Sequence, residues 1–213
     1  DKESAPSNQE IPSYLQVVGA IYKNSDPSDI AVTAAGGLVG EVIQVWRPRE
    51  LNTHETEWGF SCMSYEISGA LGIKMANPDK EVISFVGDGS YLLNNTDIYS
   101  SVITNNKLII IVCDNGGFAV INRLQLFKGG NEYNNLLKSS NTPGLVDVDF
   151  AKHAESMGAK SENVNSISDL EEAFKRAKKS EVTYVISIKT HAYQWLEGSA
   201  FWDSPTLEIP TTK

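Results

Sequence analysis

Apolar residues recur along the chain in two alternating rhythms. Short aliphatic runs are separated by stretches with the three- and four-residue spacing of an amphipathic helix. A first helix is expected from about Ser13 to Lys23, with Leu15, Val18 and Tyr22 on one face. Ile30–Thr33 is a short β-type run, followed by the small-residue turn Ala34–Gly37. Val39, Val42, Ile43 and Trp46 then mark a helix that stops at Pro48, where no backbone donor is available. Met63–Ala76 carries Met63, Ile67, Ala70, Leu71 and Lys74 at helical spacing, and its Gly69 and Gly72 are expected to admit another backbone.

Glu81–Val86 and Leu108–Cys113 read as buried strands joined by a helix over about Tyr91–Thr104. A further helix near Phe118–Leu126 leads into a Gly- and Asn-rich loop, Lys128–Gly144. Phe150, Ala151, Ala154 and Met157 mark another helix. Ser168 with Glu171 reads as a capping box for a helix that turns Leu170, Ala173, Phe174 and Ala177 inward. Thr183–Lys189 is the last strand. Strand and helix alternating in this way predict an α/β three-layer sandwich: a mostly parallel sheet with helices on both faces. Such sheets bind ligands beyond the carboxyl ends of their strands, which here means just after Thr33, Val86 and Cys113.

The 213 residues are 41% hydrophobic and 21% charged, the balance of a globular chain able to bury a core, most simply as one large domain. A net charge of −9 argues against nucleic acid or an anionic membrane surface as partner. A phosphate ligand would need positive charge supplied locally, by a metal ion or helix N-termini. Cys62 and Cys113 lie in apolar stretches without metal-ligand spacing and read as buried free thiols of a reducing cytoplasm. No apolar run approaches the roughly 18 residues of a membrane span. Residues 1–10 read as a polar linker, 11–190 as the binding domain, and 191–213 as an aromatic-rich tail.

Two of the three strand ends hold unusual polar residues. Gly87-Asp88-Gly89-Ser90 follows one strand and Asp114-Asn115-Gly116-Gly117 the other. A lone Gly-Asp-Gly is commonly a turn. The pair says more, because a crossover-length helix between them makes the two loops neighbours. Asp88 then offers a carboxylate, Asn115 a carbonyl oxygen and Gly117 a peptide carbonyl. Few, hard oxygen ligands suit Mg²⁺ completed by phosphate oxygens and water. The glycines let the main chain approach a diphosphate, and Ser90 with the following helix start can donate to it.

GDGS, a helix, and a β-run ending in DN, with Asn115 27 positions after Asp88, resemble the metal and diphosphate motif of thiamine-diphosphate enzymes. The upstream WGFSCMSYEISGALGIKMANP is similar to the segment preceding that motif in the acetolactate-synthase-like branch. The resemblance implies Mg²⁺ ligands at Asp88, Asn115 and the Gly117 carbonyl, and diphosphate contacts at Gly89 and Ser90. It also implies a bulky apolar support at Met63, a carbonyl for the aminopyrimidine at Ser61, and a second diphosphate loop at Gly36, Gly37 and Leu38. Cys62, Gly87 and Phe118 are expected to join these in the cofactor site. ETEWGFSCMSYEISGALGIKMA, VGDGSYLL and DNGGFAVINRLQ further resemble the inositol-catabolism branch, the trihydroxycyclohexane-dione hydrolases, also labelled malonic semialdehyde oxidative decarboxylases.

In that branch the cofactor, thiamine diphosphate with Mg²⁺, serves hydrolytic ring-opening of a cyclic 1,2-dione to a deoxy-glucuronic acid. The family implies a glutamate from a separate pyrimidine-binding domain, so the expected partners are that domain, supplied by another subunit of a homo-oligomer, and a small-molecule substrate. This chain alone is expected to be inactive. The rivals are a decarboxylase or carboligase acting on a 2-oxo acid, and a non-catalytic Mg²⁺-diphosphate binding module. No residue is a firm proton-transfer catalyst. The candidates are His54, beside Glu55 and Glu57 on a polar loop, and Asn122, on the helix after the metal loop. His153 is expected to face solvent, as is the Lys175–Lys179 run. Tyr193, Trp195, Phe201 and Trp202 are candidates for a lid or a domain interface.

Overall fold

A computed structural model describes residues 11–57 and 59–196. The linker 1–10, Trp58, and the tail beyond residue 196, with Phe201 and Trp202, lie outside the described residues. Six strands form one sheet in the order β2-β1-β3-β4-β6-β5. They are β1 (Ile30–Thr33), β2 (His54–Thr56), β3 (Val82–Gly87), β4 (Ile109–Asp114), β5 (Lys160–Val164) and β6 (Tyr184–Lys189), and every pairing is parallel. β2 and β5 escape the sequence reading because both are edge strands: His54–Thr56 and Lys160–Ser161-Glu162-Asn163 are polar, so neither shows an apolar run.

The described residues form eight α-helices, α1 (Tyr14–Asn24) before the first strand and α2 (Gly37–Val45), α3 (Tyr65–Ala76), α4 (Asp88–Leu93), α5 (Thr96–Ile103), α6 (Ala119–Phe127), α7 (Phe150–Ser156) and α8 (Ile167–Lys178) between strands. Ser13 opens α1 through a reciprocal capping box with Gln16. The expected single helix over Tyr91–Thr104 is broken at Asn94–Asn95, residues that favour turns over helix interiors. α8 begins one turn-fragment earlier than expected, because Ser166, not Ser168, accepts from the Asp169 amide at 3.1 Å.

Strand side chains alternate between two cores. Ile109, Ile111 and Cys113 of β4 pack with α1, α2 and α8, including Val18, Leu38 and Phe174. Leu108, Ile110 and Val112 face the opposite layer, with Ile67 of α3, Tyr91 of α4, Ile98 of α5 and Phe150 of α7. Full burial of a side chain such as Phe85 or Phe174 contributes about 1.5–3 kcal/mol. Crossovers that run toward β2 pass over one face and those toward β5 over the other, as right-handed connections require. The chain therefore reverses direction between β1 and β3, and the loops after these strands diverge to opposite faces around an open crevice.

Four sequence expectations are corrected. Cys62 is exposed rather than buried, because it lies on the loop before α3 and not within the helix; Cys113 is buried in β4. Lys178 is not a solvated charge: it turns inward to Asp26 (2.6 Å) and to Asp29 (2.7 Å), which is 2% exposed. His153 is half-buried, with Nδ1 3.0 Å from the Tyr91 hydroxyl. Neither Gly69 nor Gly72 admits another backbone; a Cβ at Gly69 would meet the Tyr65 ring at 2.5 Å, and one at Gly72 would meet nothing within 4 Å. Among the described residues no helix is long and apolar enough to cross a membrane.

Candidate functional site

The register Gly87↔Cys113 places the ends of β3 and β4 side by side. Asp88 opens α4 and Asn115 follows β4, so the Asn115 amide N–H donates to Asp88 Oδ1 at 3.4 Å. Asp88 is 4% exposed. Burial, and then the charge of Asp114, push its carboxyl up from 3.8 to about 7, against the opposing N–H donors of Asn115 and Gly117. Asp114 is itself held by Lys189 at 2.6 Å and by the Gly116 amide at 3.0 Å.

The Asn115 side chain is oriented by Tyr14, whose hydroxyl accepts from Asn115 Nδ2. Asn115 Oδ1 is buried without a hydrogen-bond partner. A buried acceptor left open beside a reluctant carboxylate is an arrangement that a divalent cation would relieve. The peptides around the Gly117 carbonyl are fixed by Leu137 N–H to Gly116 O (2.9 Å) and Phe118 N–H to Asn135 O (2.7 Å). Gly117 has φ +141°, and a Cβ there would stand 2.5 Å from Asn135 O. Among the described residues no three His, Cys, Asp or Glu side chains converge as a metal group; the expected ligand set holds a single carboxylate.

Beside these ligands a cavity of about 270 Å³ opens at the crevice. Every residue nominated for the cofactor lines it except Cys62 and Asp88. Asp88 instead borders a neighbouring cavity of about 440 Å³, with Asn115 in the wall between the two. Gly89 lets the Phe118 ring lie against α4, since a Cβ would come within 2.6 Å of it. The loop carrying Met63 is held in an uncommon conformation: Ser61 (φ +50°) and Ser64 (φ +76°) both adopt left-handed backbone. Glu57 gathers this loop by accepting from the Phe60 N–H (2.9 Å) and the Cys62 N–H (2.6 Å), which hold its carboxyl below the usual range.

The two proton-transfer candidates stand apart from the cavity. His54 lies on edge strand β2, its Nε2 2.9 Å from the Thr56 hydroxyl, and burial lowers its pKa. Asn122 is 1% exposed and donates to Glu132 at 3.0 Å. Tyr193 donates to the same Glu132 oxygen at 2.7 Å, with Lys138 over its ring, and Arg123 stacks over Trp195.

Sequence reasoning missed two residues. Tyr14 sits at the first turn of α1 and shows only as one more apolar position. Glu66 is fully buried beneath the cavity, where burial raises its pKa. The signal for it was present: Glu66, Ala70 and Lys74 follow one another at four-residue spacing along the core face of α3.

Residues 34–188 match the family model described as thiamine pyrophosphate enzyme, C-terminal TPP binding domain. The chain is 41% identical over 196 residues to a protein of Lacticaseibacillus casei named 3D-(3,5/4)-trihydroxycyclohexane-1,2-dione hydrolase, covering 91% of this chain and 30% of that one. It is 37% identical over 183 residues to a protein of the same name from Bacillus licheniformis, covering 86% of this chain and 29% of that one. The chain thus spans about 30% of the length of the curated relatives it matches. In fold it is similar to the thiamine diphosphate-dependent 4-hydroxybenzoylformate decarboxylase of Rhodococcus jostii RHA1, with a TM-score of 0.76 at 21% identity, covering 88% of this chain and 34% of that one. Benzoylformate decarboxylase from Polynucleobacter necessarius gives 0.72 at 21% identity, covering 84% and 33%. With the family model spanning the crevice, both polar strand ends and most of the chain around them, this chain belongs to the thiamine pyrophosphate enzymes and carries their C-terminal TPP-binding domain.

Proposed function

We propose that this chain holds the diphosphate end of thiamine diphosphate, through Mg²⁺, in an enzyme that hydrolyses a trihydroxycyclohexane-1,2-dione. The observation that carries the cofactor reading is the buried Asp88 carboxylate beside the unpartnered Asn115 Oδ1. Asp88, Asn115 and the Gly117 carbonyl are the Mg²⁺ ligands. The loops at Gly36–Leu38 and Gly87–Ser90 flank the diphosphate, and Ser61, Met63 and Phe118 border the rest of the cofactor. When bound, thiamine diphosphate supplies a carbon nucleophile for a substrate carbonyl. The protein's part is binding and orientation: Tyr14 fixes the Asn115 amide by accepting from its Nδ2, which leaves Oδ1 without a partner and able to take a cation, and Asp88 would supply the compensating charge. The dione as substrate is supported by relatives at 34–41% identity that bear the hydrolase name.

Phe60 is 90% exposed, and Ile121 and Phe118 are exposed beside it, which suits closure by a pyrimidine-binding domain from another subunit of a homo-oligomer. Without it this chain is inactive. The cytoplasm is the expected setting. The test incubates the native protein, with thiamine diphosphate and Mg²⁺, with the dione and with pyruvate. Ring-opened acid from the dione supports this reading. Carbon dioxide from pyruvate without dione turnover replaces it with the decarboxylase, and calorimetric binding of nucleotide diphosphates as tight as thiamine diphosphate replaces it with a plain diphosphate-binding module.

A further inference from the structure

Glu66 lies beneath the crevice with no exposed surface, and its carboxylate touches both loops that flank it. Oε1 accepts from the Ala35 N–H at 3.2 Å, in the turn after β1. Oε2 accepts from the Ser90 hydroxyl at 2.9 Å, in the turn after β3. The Ser90 oxygen in turn accepts from the Ser64 N–H at 2.6 Å, at the left-handed residue next to Met63. The Glu66 main chain is anchored as well, since its carbonyl accepts from Ser84 of β3 at 2.8 Å. One carboxylate thus joins three separate segments: the β1 turn, the β3 turn and the Met63 loop.

A serine hydroxyl has one proton to donate. Here it is spent on Glu66, so the Ser90 side chain acts as a relay and has no proton left for a diphosphate oxygen. We propose that Glu66 is a positioning residue of the cofactor site, setting the spacing of the two diphosphate loops directly and the Met63 loop through Ser90. This rests on the reading of the cavity as a thiamine diphosphate site. Nothing in the expected ligand set explains a carboxylate buried here. It is an anion beneath an anion's site, which opposes diphosphate binding unless its hydrogen bonds do something the site needs.

That opposition makes the inference testable. Releasing one loop is expected to weaken binding by roughly 10- to 100-fold. Glutamine can keep both contacts, accepting from Ala35 and donating to Ser90, whose proton then turns away. Binding of thiamine diphosphate with Mg²⁺ to the native protein is measured by calorimetry for wild type, Glu66→Ala, Glu66→Gln and Ser90→Ala. Amide hydrogen exchange is followed in the metal-free proteins. Glu66→Ala is expected to weaken binding at least about tenfold and to speed exchange at Ala35 and Ser64 while leaving Val112 in β4 protected. Glu66→Gln is expected to keep exchange at Ala35 and Ser64 near wild type and to bind at least as tightly as wild type, since it keeps both contacts and removes the opposing charge. Ser90→Ala is expected to speed exchange at Ser64 and weaken binding several-fold.

Unchanged or tighter binding in Glu66→Ala, which would mean that only the charge mattered, overturns the proposal. So does a Glu66→Gln protein as weak as Glu66→Ala. If Glu66→Ala does not fold, Ser90→Ala decides: unaltered Ser64 exchange and unaltered affinity overturn the relay. If wild type itself does not bind thiamine diphosphate, the cofactor reading fails, and exchange at Ala35 and Ser64 still decides whether Glu66 ties the loops.

Discussion

Replacing Asp88 with asparagine should move stability and cofactor binding in opposite directions. The carboxyl is held at about 7 instead of 3.8, first by burial and then by Asp114. A rise of that size corresponds to about 4 kcal/mol disfavouring the folded, ionised state of the metal-free protein. The sign follows from proton counting. Between pH 4 and 7 the folded chain keeps a proton that the unfolded chain has released, so stability falls as pH rises through this window and the full penalty is present above it. Asparagine removes the charge and still accepts from the Asn115 and Gly117 N–H groups, but it leaves a buried amide N–H₂ that costs about 1–3 kcal/mol. The net gain is about 2 kcal/mol, or roughly 4–8 °C in Tm, for a chain of this size at pH 8. At pH 4 the charge penalty is nearly gone while the amide cost remains, so the variant should be less stable than wild type by about 1–3 kcal/mol. In calorimetry the same variant should lose Mg²⁺-dependent binding of thiamine diphosphate, and with it the roughly 2.7 kcal/mol of stabilisation expected when ligand is at 100 times its Kd. A variant no more stable than wild type at pH 8, or one that binds cofactor with unchanged Mg²⁺ dependence, would refute the reasoning.

Tyr14→Phe removes the acceptor of Asn115 Nδ2 and frees the amide to rotate. Mg²⁺ affinity in the presence of thiamine diphosphate should fall about tenfold, as read by calorimetric titration. Gly117→Ala puts a Cβ against Asn135 O at a left-handed φ, and should lower the stability of the metal-free protein by about 1–3 kcal/mol in urea unfolding. Because burial raises the Glu66 pKa, wild type should lose stability as pH climbs from the ordinary carboxylate range toward the folded value. Glu66→Gln should flatten that part of the stability–pH curve, and an unaltered slope would count against it. Of the two thiols, Cys62 should react with a thiol reagent in the native protein and Cys113 only after denaturation.

The central strands were legible because buried parallel strands are continuous aliphatic runs; LIIIVC could hardly be anything else. The edge strands β2 and β5 were not, since their residues are mostly polar and the hydrogen bonds that make them strands come from another strand more than 20 positions away. Helix starts misled by two residues at α8, where Ser166 and Ser168 are chemically equivalent caps and only the path of the chain out of β5 selects the first.

The candidate site divides along the same line. Asp88, Asn115 and the glycines around them could be read from a linear pattern, because they must directly follow strands and strands are locally encoded. Tyr14 and Glu66 could not be assigned roles, because each acts on residues far away in the chain: Tyr14 on Asn115, Glu66 on Ala35 and on Ser90. Local composition thus specified the strands, their turns and the chemistry at their tips. The folded sheet alone determined which tips became neighbours, that the Asn115 amide oxygen was among those left without a partner, and which buried carboxylate joined the loops, since hydrogen bonds depend on distance in space and not on distance along the chain.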